Sequence, residues 1–194
     1  MAKKIMVLSG SPRKNGNTNT VVGWFAEGAR QAGADVEVVD ITKLKSTHHG
    51  CIACLGCQKS DKYECTVKDE VQPVLARIPS ADVVVFATPT YFFGPTAQLK
   101  SALDRMYSLI KFNGAKGGYD HNLEHVKFGV IATAGGGIQP GLKLIEDTFR
   151  SVAGFIGAGF DSFLVPNASP DTDSLKKDLH LQERAKSFGR TLAS

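Results

Sequence analysis

Short apolar runs alternate with amphipathic helical stretches along this chain, and that alternation leaves it one broad architecture. The runs are residues 5–9, 36–40, 82–87, 126–132 and 160–165; the helical patterns are 19–32, 69–78, 96–110, 141–155 and 174–192. In 96–110, Leu99, Leu103, Met106 and Ile110 recur at offsets of 4, 7 and 11, one face of a helix. Val21, Val22, Phe25 and Ala29 mark the inner face of 19–32, with Gly33 closing it. Leu142, Ile145, Phe149 and Val152 stripe 141–155, and Leu175, Leu179 and Phe188 are core candidates in 174–192. Pro73 falls early in 69–78, where its missing N–H costs least. Five strands with intervening helices give a parallel sheet covered on both faces, a three-layer α/β fold. The run DVVVFA at 82–87 is rich in β-branched residues and belongs at the sheet centre. The glycine-rich, charged stretch 112–125 is expected to be a mobile excursion.

A length of 194 residues fits one domain, with an inserted loop at about 45–68. The hydrophobic fraction of 42% supports a sizeable core, and a net charge of +4 without a basic stripe argues against nucleic acid as a partner. No apolar run approaches the ~20 residues of a membrane span. The start MAKKIMVLSGS runs straight into a strand without a leader's apolar region. A cytoplasmic location is the expectation, in which the four cysteines serve as thiols or metal ligands rather than disulfides.

Ligands of such sheets bind at the carboxyl ends of the strands, near the switch in strand order. Three loops should share that rim. The first, VLSGSPRKNGNTNT at 7–20, joins a strand to a helix N-terminus through Gly10 and Gly16. Free amides of a first helical turn favour an anion, and Ser11, Asn17 and Thr18 can donate to phosphate oxygens while Arg13 adds charge. This loop reads as a grip on a terminal phosphate. It contains no GxxxxGK[ST] and no GxGxxG, which excludes the two commonest nucleotide loops. The second, TPTYFFGP at 88–95, offers amides and aromatic faces to a flat ligand, stiffened by Pro89 and Pro95. The third, TAGGG at 133–137, exposes backbone where a side chain would block a ring.

SGSPRKNGNT, ATPTYFFGPTAQLKSALDR and TAGGG together resemble the flavodoxin-like FMN reductases, and the cysteine loop narrows the resemblance to the iron–sulfur flavoproteins of that group. The likeness covers residues 5 to about 165. It implies one flavodoxin-like FMN-binding domain over 1–194, a five-stranded parallel sheet in order 2-1-3-4-5 with helices on both faces. It implies FMN phosphate at Ser11, Arg13, Asn17 and Thr18, within a cofactor site that also takes in Ser9 and Asn19. The isoalloxazine is expected between Pro89, Thr90, Tyr91, Phe92, Phe93 and Gly94 on one side and Thr133, Ala134, Gly135, Gly136 and Gly137 on the other. A homodimer or homotetramer is implied, with the flavin near the subunit interface.

The cysteines read Cys51, Cys54, Cys57 and then Cys65. A C-x2-C-x2-C run with a fourth cysteine is a pattern of iron–sulfur ligation, whereas structural zinc more often uses two separated pairs. A [4Fe–4S] cluster, bare thiols and zinc are the three readings. Gly56 eases the turn, and Cys65, seven residues beyond Cys57, is the least secure ligand. His48 and His49 are read as solvated neighbours, and Lys68, Asp69 and Glu70 as solvated charge opening a helix. Tyr91 and Tyr119 are read as packing and surface residues, so no side chain is assigned a catalytic role. The resemblance implies redox chemistry: electrons pass between NAD(P)H, or a reduced carrier such as ferredoxin, and an acceptor such as a quinone. The alternatives are an FMN or quinone reductase without a cluster, or an electron-transfer partner of another protein.

Overall fold

A computed structural model describes residues 2–112 and 117–194. The strands are β1 (Lys4–Ser9), β2 (Asp35–Asp40), β3 (Val83–Pro89), β4 (Ile110–Phe112), β5 (Tyr119–His121), β6 (Lys127–Thr133) and β7 (Phe160–Val165). The helices are α1 (Asn17–Gln31), α2 (Val71–Ala76), α3 (Ala97–Arg105), α4 (Lys143–Phe155), α5 (Thr172–Lys176) and α6 (Leu179–Ala193). The main sheet is parallel in order β2-β1-β3-β6-β7. With the short β4–β5 hairpin set aside, this is the expected order 2-1-3-4-5. Among the described residues no helix is long and apolar enough to cross a membrane.

β1, β3 and β6 are central because their sequences are apolar on both faces. Alternate residues split between two cores. Met6, Leu8, Val84, Phe86 and Phe128 pack with α2, α3 and α4, where Phe86 stacks on Phe149 at 4.7 Å. Ile5, Val7, Val83 and Val85 pack against Phe25 of α1 and Leu192 of α6 on the other face. The register aligns Ser9 with Ala87 and Pro89 with Thr133, so the three rim loops leave the sheet at one edge.

Three expectations are corrected. The helix at 174–192 is two helices: Asp178 interrupts it and caps α6 by accepting from the Leu181 amide at 2.9 Å. Leu179 therefore falls in the first turn of α6 and is 73% exposed, while Leu175, Leu181 and Leu192 are buried. The helix at 96–110 ends at Arg105 and tightens into a 3₁₀ turn at Met106–Leu109, and Ile110 begins β4. The excursion at 112–125 is partly regular: Phe112 pairs with Tyr119 in the β4–β5 hairpin, and the Tyr119 ring stacks on Phe155 at 4.6 Å. Residues 113–116 of that excursion, and Met1, lie outside the described residues.

Candidate functional site

The first rim loop is built on small residues. Gly10 lies against the start of α3, where its carbonyl accepts from the Thr96 hydroxyl at 2.8 Å. A Cβ at Gly10 would stand 2.6 Å from Leu99 Cβ. Asn19 staples the loop from beneath. Its Nδ2 donates to the Arg13 carbonyl at 2.9 Å, and its Oδ1 accepts from the Ser9 hydroxyl at 2.6 Å. Gly16 precedes α1 without a side-chain cap, and the first turn carries no acid. The first intrahelical bond there runs from the Thr20 amide to Gly16, which leaves the amides of the first turn to a ligand.

The other walls are tied to this one. The Thr18 and Thr133 hydroxyls share a buried hydrogen bond of 2.8 Å. The Thr90 amide donates to the Thr133 carbonyl at 2.7 Å. The segment after β7 forms a fourth wall. Asn167 and Ala168 donate their amides to Gly136 and Ala134, each at 2.8 Å, and Ser169 accepts from Asn17 Nδ2 at 2.7 Å.

The result is a cleft of about 270 Å³ at the carboxyl edge of the sheet. Ser11, Arg13, Asn17 and Thr18 border it from the first loop, Pro89, Thr90 and Tyr91 from the second, and Thr133, Ala134 and Gly135 from the third. Seven other expected residues do not line it. Ser9 and Asn19 support the loop from below. Phe92, Phe93 and Gly94 form a tight turn beyond the cleft, closed by paired Tyr91 and Gly94 backbone bonds, with Phe92 99% exposed. Both phenylalanines hold positive φ, of 48° and 68°. Gly136 and Gly137 lie past the lining. Gly16 of the first loop lines the cleft as well, and Ala168, Ser169 and Pro170 line it without having been foreseen. The position of the 168–170 segment was available from topology alone, because it follows a strand that ends on the same rim.

Two polar atoms at the cleft residues are buried without a partner, Asn17 Oδ1 and Thr90 Oγ1. Asn17 has committed its Nδ2 to a carbonyl, so the side chain has an acceptor to offer. Arg13 is exposed and has no ion-pair partner among the described residues. An uncapped helix start, a free cation and unsatisfied hydrogen-bonding atoms fit a ligand that combines a phosphate with hydroxyls, as FMN does.

The cysteine loop is a separate construction. Cys51, Cys54, Cys57 and Cys65 border one hollow of about 20 Å³, together with Arg105 and Ser108. Cys57 is buried, Cys65 half-buried, and Cys51 and Cys54 are exposed. Ala53 and Leu55, on either side of Cys54, both adopt left-handed backbone at φ of 52° and 56°. Such turns converge amide groups into nests suited to anions and iron–sulfur centres. The Gly56 amide is the main cause of a lowered Cys54 pKa; slight burial opposes it and the Thr66 hydroxyl assists. A Cβ at Gly56 would lie 2.4 Å from the Thr66 hydroxyl oxygen, so a side chain there would force Thr66 to move.

Among the described residues, no three His, Cys, Asp or Glu side chains converge closely enough to hold one metal ion. The donor set fits a cluster in its chemistry: four thiols around one hollow, with a nest and a buried cation beside them. His48 and His49 are exposed and stand outside the hollow. Asp69 is not solvated charge. Its side chain is 5% exposed and paired with Arg105.

Burial alone would raise the Asp69 pKa, but the Arg105 hydrogen bonds and the Thr47 and Gln72 amides hold the carboxyl well below the usual range. A carboxylate with a depressed folded-state pKa stabilises the fold above its unfolded pKa of about 4. That stabilisation is lost as the pH falls through the folded value. Urea midpoints of the wild type should therefore drop steadily below about pH 4, and those of Asp69→Asn should start lower and drop less steeply. Parallel curves for the two proteins would show that Asp69 carries no acid-linked stability.

A family model described as NADPH-dependent FMN reductase matches residues 3–165. An iron–sulfur flavoprotein of Methanocaldococcus jannaschii is 32% identical over 102 residues, covering 53% of this chain and 51% of that protein. The chain spans about half the length of several such curated relatives. An NAD(P)H-dependent FMN reductase of Schizosaccharomyces pombe is 32% identical over 156 residues, 74% of each protein. Among solved structures, an NAD(P)H:quinone oxidoreductase from Methanothermobacter marburgensis matches with a TM-score of 0.75 at 20% identity, over 99% of this chain and 100% of its own. That last likeness is one of fold.

Proposed function

The chain belongs to the NADPH-dependent FMN reductase family, and from that premise we propose an FMN-dependent oxidoreductase with a [4Fe–4S] cluster on its cysteine loop. In this reading residues 1–194 are one FMN-binding unit and the cysteine loop is an insertion in it. The observation that carries the FMN site is the pair of buried, unpartnered atoms, Asn17 Oδ1 and Thr90 Oγ1, beside an uncapped helix start.

Bound FMN supplies hydride acceptance and one-electron transfer. The chain binds and orients it. The first amides of α1, Ser11 and Arg13 meet the phosphate. Asn17 gives one of its two N–H donors to the Ser169 carbonyl, and its unpartnered Oδ1 would accept from a hydroxyl of the sugar-alcohol chain. Pro89, Tyr91, Ala134 and Gly135 would flank the flat ring, on two loops that the Thr90–Thr133 backbone bond holds together. The donor is NAD(P)H or a reduced carrier such as ferredoxin, and the acceptor a small molecule such as a quinone, in a homodimer or homotetramer.

Anaerobic purification, followed by a visible spectrum and iron, sulfide and zinc assays on one sample, tests both cofactors. A flavin spectrum over broad charge-transfer absorbance with roughly four irons per chain is expected. A colourless protein that takes up no FMN would end the flavoprotein reading. Cys54→Ala should then lose iron and keep FMN, and intact iron in that variant would remove Cys54 from the ligand set. The exposure of Cys51 and Cys54, with the sulfurs not gathered at metal-binding spacing, favours a second reading: an FMN or quinone reductase with bare thiols. Flavin absorbance without iron or sulfide would select it.

A further inference from the structure

We propose that Arg105 is the positioning residue of the cysteine loop, a buried cation aimed at Cys65 that sets how firmly the loop holds its cluster and at what potential. The inference rests on the cluster reading above. The Arg105 side chain is 1% exposed. Its fork makes two bonds to Asp69, Nη1 to Oδ2 at 2.7 Å and Nη2 to Oδ1 at 3.0 Å. Nη2 also donates to the Val67 carbonyl at 3.2 Å and to Cys65 Sγ at 3.6 Å.

Asp69 cannot follow a moving arginine, because it also accepts from the backbone amides of Thr47, Val71 and Gln72. Asp69 thus fixes Arg105, and Arg105 fixes Cys65. Two donors remain over. Arg105 Nε and Ser108 Oγ are buried without partners, and both residues border the hollow that the four cysteines share. A buried ion pair is weak evidence for stability alone, since desolvation offsets its attraction. One whose spare N–H groups lie at a sulfur hollow has a further use. Four thiolates around a cluster are net anionic, and hydrogen bonds to their sulfurs make the cluster easier to reduce and harder to lose.

The test compares wild type, Arg105→Lys, Arg105→Gln, and Arg105→Gln combined with Asp69→Asn, each reconstituted anaerobically with iron and sulfide. The double variant guards against misfolding, since it leaves no unpaired buried charge. FMN content and circular dichroism report the fold. Three readings report the proposal: iron per chain, the rate of iron loss to a chelator, and the cluster midpoint potential by titration. In the double variant FMN should stay bound, iron should leave roughly tenfold faster or more, and the potential should move to more negative values. Arg105→Lys, which keeps charge but not the fork, should fall between. Wild-type iron retention and potential in the double variant would overturn the proposal alone. A wild type that takes up no iron and sulfide would overturn the cluster reading and the proposal with it.

Discussion

Gly189→Val should lower stability by about 3 kcal/mol, near the upper end of the usual cost of overpacking a core. α1 and α6 cross at two glycines. A Cβ on Gly189 would lie 2.1 Å from the Phe25 carbonyl oxygen, and a Cβ on Gly28 would lie 2.1 Å from that of Lys186. Both neighbours are backbone, which no rotamer change relieves. The helices would have to part, and α6 would then lift Leu192 and Ala185 from a core in which both are essentially buried. Gly23, on the same α1, is the control. A Cβ there meets nothing within 4 Å. Gly23→Ala should stabilise by about 0.5–1 kcal/mol through helix propensity. Urea unfolding of both variants decides the matter, and equal midpoints would mean that the glycine crossing does not set the helix separation.

Arg13→Glu should weaken FMN binding roughly 100-fold, about 3 kcal/mol. The change removes a charge-assisted contact to phosphate and places a like charge beside it. Arg13 borders the cleft, is exposed, and has no competing partner among the described residues, so its removal leaves nothing else unsatisfied. Riboflavin, which lacks the phosphate, is the internal comparison, and its affinity should change little. Added salt should narrow the gap between wild type and variant. Titration of flavin fluorescence with both ligands measures this. An equal loss for riboflavin and FMN would move Arg13 away from the phosphate.

The strands were legible because the central runs are short, rich in β-branched residues and apolar on both faces, as a covered parallel sheet requires; their order came from the resemblance to the flavodoxin-like FMN reductases. That the first loop would border a cleft on the rim was legible for a local reason: glycines, hydroxyls and a helix start lie within a few residues. What escaped was set by distant partners. Leu179 fits the helical period, but the capping carboxylate of Asp178 restarts the helix and turns Leu179 outward. The hairpin strands β4 and β5 hold three residues each, too few to show alternation, and they are fixed by the ring of Phe155 far along the chain. Asp69 looked like solvated charge because its arginine lies 36 residues away. The Ala168–Pro170 wall carries no motif, since it is held through backbone amides.

The hairpin is a second anchor of the cysteine loop, beside Arg105 of α3. Gln58 bonds the backbone of Ile110 and Phe112, and the Lys111 ammonium gathers the carbonyls of Cys57, Ser60 and Lys62. Tyr63 reaches Asp120 at 2.6 Å. These ties run to the hairpin, and none of them runs to a residue lining the rim cleft. α3, by contrast, reaches both sites: its Arg105 holds Cys65 and Val67, and its cap residue Thr96 bonds the Gly10 carbonyl of the first rim loop. A substitution that shifts α3 would therefore reach the cysteines and the first rim loop together, whereas one confined to the hairpin would reach the cysteines alone.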